Sequence, residues 1–174
     1  ASTGGFTDVL LRQGAKLVVA VDVGYGQLAW ELRQDPRVKI LDRTNIRHLT
    51  GEMVGEEIDL VVADLSFISL SLVLPALAAV SRPNADYVLM VKPQFEVGRE
   101  KLGAGGVVRD PALRRAAVLD VAEAAYDVGL GTMGIAASPL PGPAGNVEYF
   151  LWLRRGAPAI DAGDVDRAIE MGPA

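Results

Sequence analysis

Residues 61–67, with the sequence VVADLSF, contain an apolar run that stops abruptly at Asp64. A second run, VLMV at residues 88–91, stops in the same way at Lys92. Short runs rich in valine and leucine predict strands that are buried on both faces of a parallel sheet. Such sheets bind ligands beyond the carboxyl ends of their strands, so Asp64 and Lys92 should project into one cleft. A carboxylate that faces a lysine in a cleft predicts an enzyme that handles protons.

Strand and helix signals alternate along the rest of the chain. The sequence predicts strands at residues 17–21, 38–41, 59–64, 87–92, 134–137 and 148–153, and helices at residues 6–13, 27–33, 69–81, 110–128 and, weakly, 164–170. This order predicts an α/β fold with a mostly parallel, doubly wound sheet and helices on both faces. We expect one domain over residues 1–156 and a C-terminal tail over residues 157–174.

Composition disfavours several classes of protein. The chain has no cysteine, which excludes disulfides and thiolate catalysis. It has one histidine, His48, so no metal site is predicted. The apolar stretches fall short of the roughly 18 residues that a membrane span needs, and the first residues do not resemble a signal peptide. We therefore expect a cytoplasmic protein that does not enter membranes.

Charge is unevenly distributed along the chain. The net charge is −5, but residues 92–115 hold six basic and three acidic residues, which leaves +3 there and −8 elsewhere. A basic segment beside the predicted cleft suits a polyanionic substrate. Arg109, Arg114 and Arg115 are candidate phosphate contacts, although an exposed helix start can carry arginines for solubility alone.

Two loops near this segment predict binding functions. Residues 95–109 contain four glycines and no periodicity, and the segment is longer than an ordinary connection, which is typical of a lid or a binding loop. The second loop, PLPGPAGN at residues 139–146, presents Glu148 at the start of the last predicted strand.

The first sixty residues predict a nucleoside site. The stretch ASTGGF at residues 1–6 opens a helix, so its free backbone N–H groups would face a ligand. Asp22 ends the next strand, where Rossmann-type folds place an acid on the ribose hydroxyls, and Asp42 ends the third strand, near the adenine. The predicted cofactor residues are Ser2, Thr3, Gly4, Gly5, Phe6, Asp22, Asp42, Asn45 and Asp64.

Three cofactors compete for such a site. NAD requires three spaced glycines, which residues 1–6 do not supply, and ATP requires a G-K-[ST] sequence after a glycine loop, which is missing. S-adenosylmethionine (SAM) uses the same fold with looser loop requirements. The spacing alone therefore favours SAM and leaves an NAD-dependent oxidoreductase as the alternative.

Five motifs, in order, carry a family resemblance. They are ASTGGFTD at residues 1–8, ADLSFIS at residues 63–69, VKPQFE at residues 91–96, GGVVRDP at residues 105–111 and GNVEY at residues 145–149. Together they resemble the TlyA (hemolysin A-like) ribosomal RNA methyltransferases, which are relatives of the FtsJ-type 2′-O-methyltransferases. The resemblance implies a Rossmann-like class I fold with SAM as the cofactor over residues 1–156.

The resemblance also implies a substrate and partners. It predicts methylation of cytidine ribose 2′-hydroxyls in 16S and 23S ribosomal RNA, binding to ribosomal subunits, and an effect on susceptibility to ribosome-targeting cyclic peptide antibiotics. The family's other name, hemolysin, leaves a membrane-active protein as a further alternative, but the sequence shows no segment suited to insertion.

The family's catalytic set resembles Lys-Asp-Lys-Glu, and Asp64, Lys92 and Glu148 match its last three members. The resemblance implies that the first lysine, the first strand and an S4-like RNA-binding domain lie upstream of Ala1. We therefore expect this chain alone to be inactive and its sheet to be interrupted.

Methyl transfer to a ribose hydroxyl requires residues of these types. A ribose hydroxyl is a poor nucleophile and needs a base or a strong orienting partner. A free lysine is protonated at neutral pH, so Lys92 must lose a proton before it can act as the base. Asp64 would orient Lys92 or offset the sulfonium charge, and Glu148 would position the lysine or the ribose. The alternative reading of the spacing is a structural ion pair between Asp64 and Lys92, with Glu148 exposed to solvent.

Overall fold

The computed structural model of the chain describes residues 1–98, 100 and 102–173. Its internal contacts divide it into two compact units, Ala1–Glu57 and Ile58–Ala174. We call these the N-terminal unit and the C-terminal unit.

The N-terminal unit is built on a two-stranded parallel sheet. Its elements are α1 (Gly5–Arg12), β1 (Val18–Val21), α2 (Trp30–Arg33), β2 (Val38–Leu41), a 3₁₀ turn (Ile46–His48) and α3 (Gly51–Val54). Helix α1 is amphipathic: it buries Thr7 and Leu11, while Asp8 and Arg12 form an ion pair one turn apart on its exposed face.

The C-terminal unit is built on a four-stranded mixed sheet with the strand order β3-β4-β6-β5. Its elements are β3 (Ile58–Ala63), a 3₁₀ turn (Leu70–Leu72), α4 (Leu74–Ala79), β4 (Ser81–Val91), α5 (Pro93–Glu96), a 3₁₀ turn (Ala104–Gly106), α6 (Pro111–Asp127), β5 (Leu130–Ala137), β6 (Tyr149–Arg155) and α7 (Ala162–Met171). Strands β3 and β4 are parallel, whereas β6 is antiparallel to both of its neighbours.

The register of this sheet determines where the site lies. Ala63 pairs with Leu89 near the carboxyl ends of β3 and β4, and Val91 pairs with Tyr149 at the start of antiparallel β6. The residue after β4 and the residue before β6 are therefore opposite each other, at the edge where β3 also ends. Alternate side chains of β4 and β6 are fully buried, so the core packs directly against the strands that end at this edge. These residues are Tyr87, Leu89, Val91, Tyr149, Leu151 and Leu153.

The α/β fold class predicted from the sequence is confirmed. The strands form two separate sheets, and among the described residues no strand pairs with both β1 and β3. Two of the four strand pairings are parallel and the two that involve β6 are antiparallel.

Two predicted helices are shorter than expected. The predicted helix at residues 27–33 begins only at Trp30, because the backbone N–H of Ala29 donates to Thr3 O and holds that segment extended. The predicted helix at residues 69–81 is divided into a 3₁₀ turn and α4. Ser69 caps the 3₁₀ turn, and Pro75 stands in the first turn of α4, where proline favours a new helix start.

Strand boundaries also differ from the prediction. Strand β4 begins at Ser81 rather than at residue 87, because Ser81 pairs with Ile58 before the register shifts. Strand β5 begins at Leu130 rather than at residue 134, and β6 extends to Arg155. The predicted tail contains a regular helix, α7, whose N-cap Asp161 accepts hydrogen bonds from Gly163 N and Asp164 N.

Candidate active site

Three predicted catalytic residues meet in the C-terminal unit. Lys92 Nζ lies 2.5 Å from Asp64 Oδ1 and 3.9 Å from Glu148 Oε1. Asp64 directly follows β3, Lys92 directly follows β4 and Glu148 directly precedes β6. The side chains of Lys92 and Glu148 are 11% and 7% exposed, whereas that of Asp64 is 44% exposed. The cluster therefore consists of a largely buried lysine, a buried glutamate and an accessible aspartate.

Lys92 has a third polar neighbour that the sequence did not single out. Ser66 Oγ accepts a long hydrogen bond of 3.5 Å from Lys92 Nζ. Pro93 follows Lys92 as the first residue of α5, and its fixed φ starts that helix directly beyond the lysine.

Glu148 is held by residues that sequence reasoning missed. Gln94 Nε2 donates to Glu148 Oε1 at 3.1 Å, while Gln94 Oε1 is buried with no partner among the described residues. A β-carbon at Gly142 would lie 2.8 Å from Glu148 Oε1, so a side chain there would displace the carboxylate. Two sequence features could have pointed to these residues. Gln94 belongs to the VKPQFE motif, and Gly142 belongs to the turn-rich segment before Glu148.

Asn146 joins the two predicted loops. Its side chain is buried, its Oδ1 accepts from Val108 N at 2.9 Å and its Nδ2 donates to Gly106 O at 3.1 Å. These bonds hold the end of the 95–109 loop against the turn that presents Glu148. Arg99 and Lys101, two basic residues counted in the basic segment, lie outside the described residues.

Helix α5 is anchored to the segment that follows Asp64. Glu96 accepts hydrogen bonds from Ser69 Oγ at 2.5 Å and from Leu70 N at 2.9 Å. Burial raises the pKa of Glu96, although these two hydrogen bonds partly oppose the rise. Phe67, between Asp64 and this anchor, has φ of 64° and is 90% exposed, and its ring centroid lies 5.1 Å from that of Phe95.

In the N-terminal unit, Asp22 is surrounded by donors. Its Oδ2 accepts from the terminal amine of Ala1 and from Ser2 N, both at 2.7 Å, and its Oδ1 accepts from Gly24 N at 2.8 Å. Burial would raise the pKa of Asp22, but the hydrogen bonds and charge of these donors lower it to about 2. The carboxylate is therefore a charged anchor for residues 1 and 2.

The other predicted cofactor residues of this unit form two groups. In the first loop, Ser2 and Gly4 have positive φ, and a β-carbon at Gly4 would lie 2.3 Å from the Leu32 side chain, so only glycine fits there. Thr3 accepts a hydrogen bond from Ala29 N, Gly5 begins α1, and Phe6 is 39% exposed.

Asp42 and Asn45 form the second group. Asp42 Oδ2 accepts from Gly26 N at 3.1 Å and from Arg33 Nη1 at 3.2 Å. Asn45 is exposed, and its side chain caps the 3₁₀ turn by accepting from Arg47 N. Both side chains thus hold loops at the carboxyl end of β2.

Comparison with known proteins assigns the family. The chain matches the FtsJ-like methyltransferases over residues 1–155. The chain belongs to this family. The methyltransferase class is therefore established over the oxidoreductase alternative, and the resemblance identified from the five motifs is confirmed.

Individual relatives support this assignment of the FtsJ-like chain. It is 61% identical over 178 residues to the 16S/23S rRNA (cytidine-2′-O)-methyltransferase TlyA of Mycobacterium tuberculosis, and the alignment covers 99% of this chain and 66% of TlyA. The chain thus spans about two thirds of the length of that relative.

Two solved structures have nearly the same fold. A candidate hemolysin from Lactococcus lactis has a TM-score of 0.91 at 39% identity, with 97% of this chain and 82% of that chain covered. A candidate hemolysin from Streptococcus thermophilus has a TM-score of 0.90 at 42% identity, with 98% and 64% covered.

The predicted RNA contacts of this FtsJ-like chain occupy different environments. Arg109 is exposed, and Arg114 donates to Val108 O at 2.9 Å and to Arg109 O at 3.1 Å. Arg115 Nε instead lies 2.6 Å from Asp166 Oδ1, in an ion pair between α6 and α7.

A metal-binding cluster and a membrane-spanning helix are both absent from residues 1–98, 100 and 102–173. No group of three His, Asp or Glu side chains there could hold a metal ion. Across the same residues, every helix is too short or too polar to cross a bilayer.

Proposed function

We propose that this chain is the catalytic part of an enzyme that methylates the 2′-hydroxyl of cytidine ribose in 16S and 23S ribosomal RNA. The observation that carries the proposal is the contact of Lys92 with Asp64 and Glu148 at one edge of the sheet. The similarity to TlyA supports the choice of substrate, and family membership supports the reaction class.

Lys92 is the residue proposed to act on the hydroxyl. A lysine ammonium has three N–H donors. Asp64 accepts one at 2.5 Å, Ser66 is a weak second acceptor at 3.5 Å, and Glu148 at 3.9 Å is beyond direct hydrogen-bond distance. A donor thus remains to orient the 2′-oxygen, and Asp64 is the acceptor within reach if Lys92 passes on a proton to become the base.

Asp64 and Glu148 are proposed to hold Lys92 in that position. Asp64 is the accessible carboxylate of the cluster, so it can also face a cationic group of a bound ligand. Glu148 is buried, and the hydrogen bond from Gln94 stabilises its charge and fixes its direction.

SAM is the proposed cofactor, and when bound it supplies a methyl group carried by a sulfonium. The N-terminal unit has groups that suit a nucleoside. Ser2 N and Gly24 N donate to the Asp22 carboxylate, which has roughly four acceptor positions and so leaves room for a ribose hydroxyl. Val23 beside it is 74% exposed and offers an apolar surface that suits an adenine ring.

The proposed cofactor contacts of the N-terminal unit are Ser2, Thr3, Gly4, Gly5, Phe6, Asp22, Asp42 and Asn45, and that of the C-terminal unit is Asp64. We also propose that Arg109, Arg114 and Arg115 contact RNA, that ribosomal subunits in the cytoplasm are the partners, and that the methylation alters susceptibility to ribosome-targeting cyclic peptides.

A methyl-transfer assay tests this function. The protein, expressed from its complete gene, is incubated with methyl-labelled SAM and with ribosomal subunits from a strain that lacks the enzyme. We expect label in cytidine 2′-O-methyl groups of both subunit RNAs. Label on a base or on protein, or no transfer by an enzyme that binds SAM in calorimetry, would exclude the proposed reaction.

A further inference from the structure

A pocket of about 300 Å³ lies between the two loops that Asn146 joins. It is lined by Val107, Arg109, Arg114, Ala144, Gly145 and Val147. Its charged lining residues are two arginines, and the others are small or apolar. We call it the arginine pocket.

Among the described residues, no neighbouring acid neutralises the two arginines. Within the described part of the chain, neither guanidinium lies within 4.0 Å of a carboxylate, whereas Arg115 on the same helix is paired with Asp166. Arg114 donates to the carbonyls of Val108 and Arg109 and also lies near the Tyr149 hydroxyl, which fixes its plane and leaves further N–H donors. An immobilised, unpaired guanidinium beside a second one is suited to bind a phosphate group.

The walls of the arginine pocket are held in place. Val107 and Val147 are buried, and Val108 N and Gly106 O are both bonded to the buried side chain of Asn146. The two arginines therefore stand on loop ends that are bonded to each other. A ligand that binds there does not have to order a mobile loop, so less conformational entropy is lost on binding.

The arginine pocket borders the candidate active site along the chain. Val147 lines the pocket, and the next residue, Glu148, lies 3.9 Å from Lys92 Nζ. Consecutive Cα atoms are about 3.8 Å apart. Val147, in the pocket wall, is therefore one residue along the chain from Glu148 of the candidate active site.

We propose that Arg109 and Arg114 bind a backbone phosphate of the substrate RNA next to the methylated nucleotide. The proposal rests on the proposed function and makes it more specific. A phosphate contact positions the strand without reading its sequence, so the arginine pocket would set the register of the ribose against Lys92.

The salt dependence of RNA binding tests the proposal. A short labelled single-stranded RNA that contains cytidine is titrated with the protein at several KCl concentrations. Each phosphate contact contributes about −0.7 to the slope of log K against log salt for a single strand. We expect Arg109→Ala to weaken binding and to reduce the slope by about this amount. Arg109→Lys should retain most of the slope.

Matched controls separate the possible outcomes. Arg167→Ala removes an equal charge from the exposed face of α7 and should leave the slope unchanged. SAM affinity should be unchanged in all three variants. An unchanged slope for Arg109→Ala would overturn the proposal. It would also be overturned if cytidine 5′-monophosphate bound as tightly as the RNA strand and lost the same affinity in Arg109→Ala, because the pocket would then not act on a neighbouring backbone phosphate.

The phosphate site and the methyl-transfer reaction can be disproved separately. If the wild-type protein methylates RNA but Arg109→Ala keeps the full slope, the phosphate site is wrong and the reaction stands. If the wild type binds RNA with an Arg109-dependent slope but transfers no methyl group, the site stands and the reaction is wrong.

Discussion

At the scale of single residues, the chemistry depends on the direction of a few side chains. Lys92, Asp64 and Glu148 are far apart in sequence, yet the register of β4 and β6 places the lysine opposite the glutamate. Gln94 then fixes the glutamate by a hydrogen bond that no spacing rule predicts.

Lys92→Ala should abolish methyl transfer and leave SAM affinity nearly unchanged, because its proposed partner is the RNA hydroxyl. General base catalysis typically contributes about 10²–10⁴-fold to the rate. Single-turnover kinetics and calorimetry measure the two effects. Lys16→Ala, which removes an exposed lysine, is the control. A Lys92→Ala enzyme that keeps more than about one tenth of the wild-type kcat is incompatible with this role.

Gln94→Leu should lower kcat by about tenfold or more, because a hydrogen bond to a charged group contributes roughly 1.5–3 kcal/mol. The KM for RNA should change little, since Gln94 is proposed to position Glu148 and not to contact the substrate. Gln94→Glu should be worse than Gln94→Leu at neutral pH, because it sets a second carboxylate against Glu148. Equal effects on kcat and KM, or a better Gln94→Glu enzyme, would refute this role.

Asp22→Ala should weaken SAM binding more than Asp42→Ala. Asp22 accepts hydrogen bonds from Ser2 N and Gly24 N and has acceptor capacity left for a ribose hydroxyl, whereas Asp42 is paired with the guanidinium of Arg33. Charge-assisted hydrogen bonds contribute about 1.5–3 kcal/mol each. Calorimetric titration with SAM measures both variants. An equal or larger loss at Asp42 would show that the ribose has been assigned to the wrong carboxylate.

At the scale of elements, short capped segments deliver the site residues. Helix α5 is one turn long, and Glu96 at its end anchors it to Ser69 and Leu70. Strand positions were predicted well wherever apolar runs were continuous. The helix predicted at residues 69–81 was too long, because apolar spacing cannot reveal the hydrogen bonds that Ser69 and Leu70 donate to the distant Glu96.

Glu96 should make the protein less stable as pH rises above about 4.5. Burial raises the pKa of this carboxyl in the folded state, so the folded protein holds its proton more tightly than the unfolded chain. Stability is then fully present below the unfolded value of 4.5 and is lost as pH rises through the raised folded value. Urea unfolding at pH values on both sides of this window should show the decline.

The Glu96→Gln variant should flatten this decline, because it removes the titrating group. The effect of Asp22 lies in a different window: its pKa is lowered from 3.8 to about 2, so its contribution is lost only as pH falls through that lower range. Glu123→Gln, a change at an exposed position of α6, should keep the wild-type pH dependence. A Glu96→Gln variant with the wild-type slope between pH 4.5 and neutral pH would contradict the explanation.

At the scale of the whole molecule, the tail is part of the C-terminal unit. Helix α7 contacts α6 and β5, Val165 is fully buried, and Thr132 N donates to Pro158 O at 2.7 Å. Gly131 is needed for this approach, because a β-carbon there would lie 1.8 Å from Ala157 O.

Deletion of residues 157–174 should therefore lower the melting temperature clearly. Burying a side chain such as Val165 contributes about 1.5–3 kcal/mol, which is a large part of a typical domain stability of about 5–15 kcal/mol. Differential scanning calorimetry measures the change. Met171→Ala, at a position 84% exposed, should melt like the wild type. A deletion variant with an unchanged melting temperature would show that α7 adds nothing to the fold.

The sequence alone predicted the fold class, the family and the three side chains proposed to be catalytic, because the ends of apolar strands and short motifs are local signals. The tertiary structure decided how these side chains are held. Gln94, Gly142 and Asn146 act through contacts between segments up to 54 residues apart. The tail also passes so close to Gly131 that a side chain at that position would collide with the backbone of Ala157. Such contacts depend on register and on the space between backbones, which residue types and their spacing do not specify.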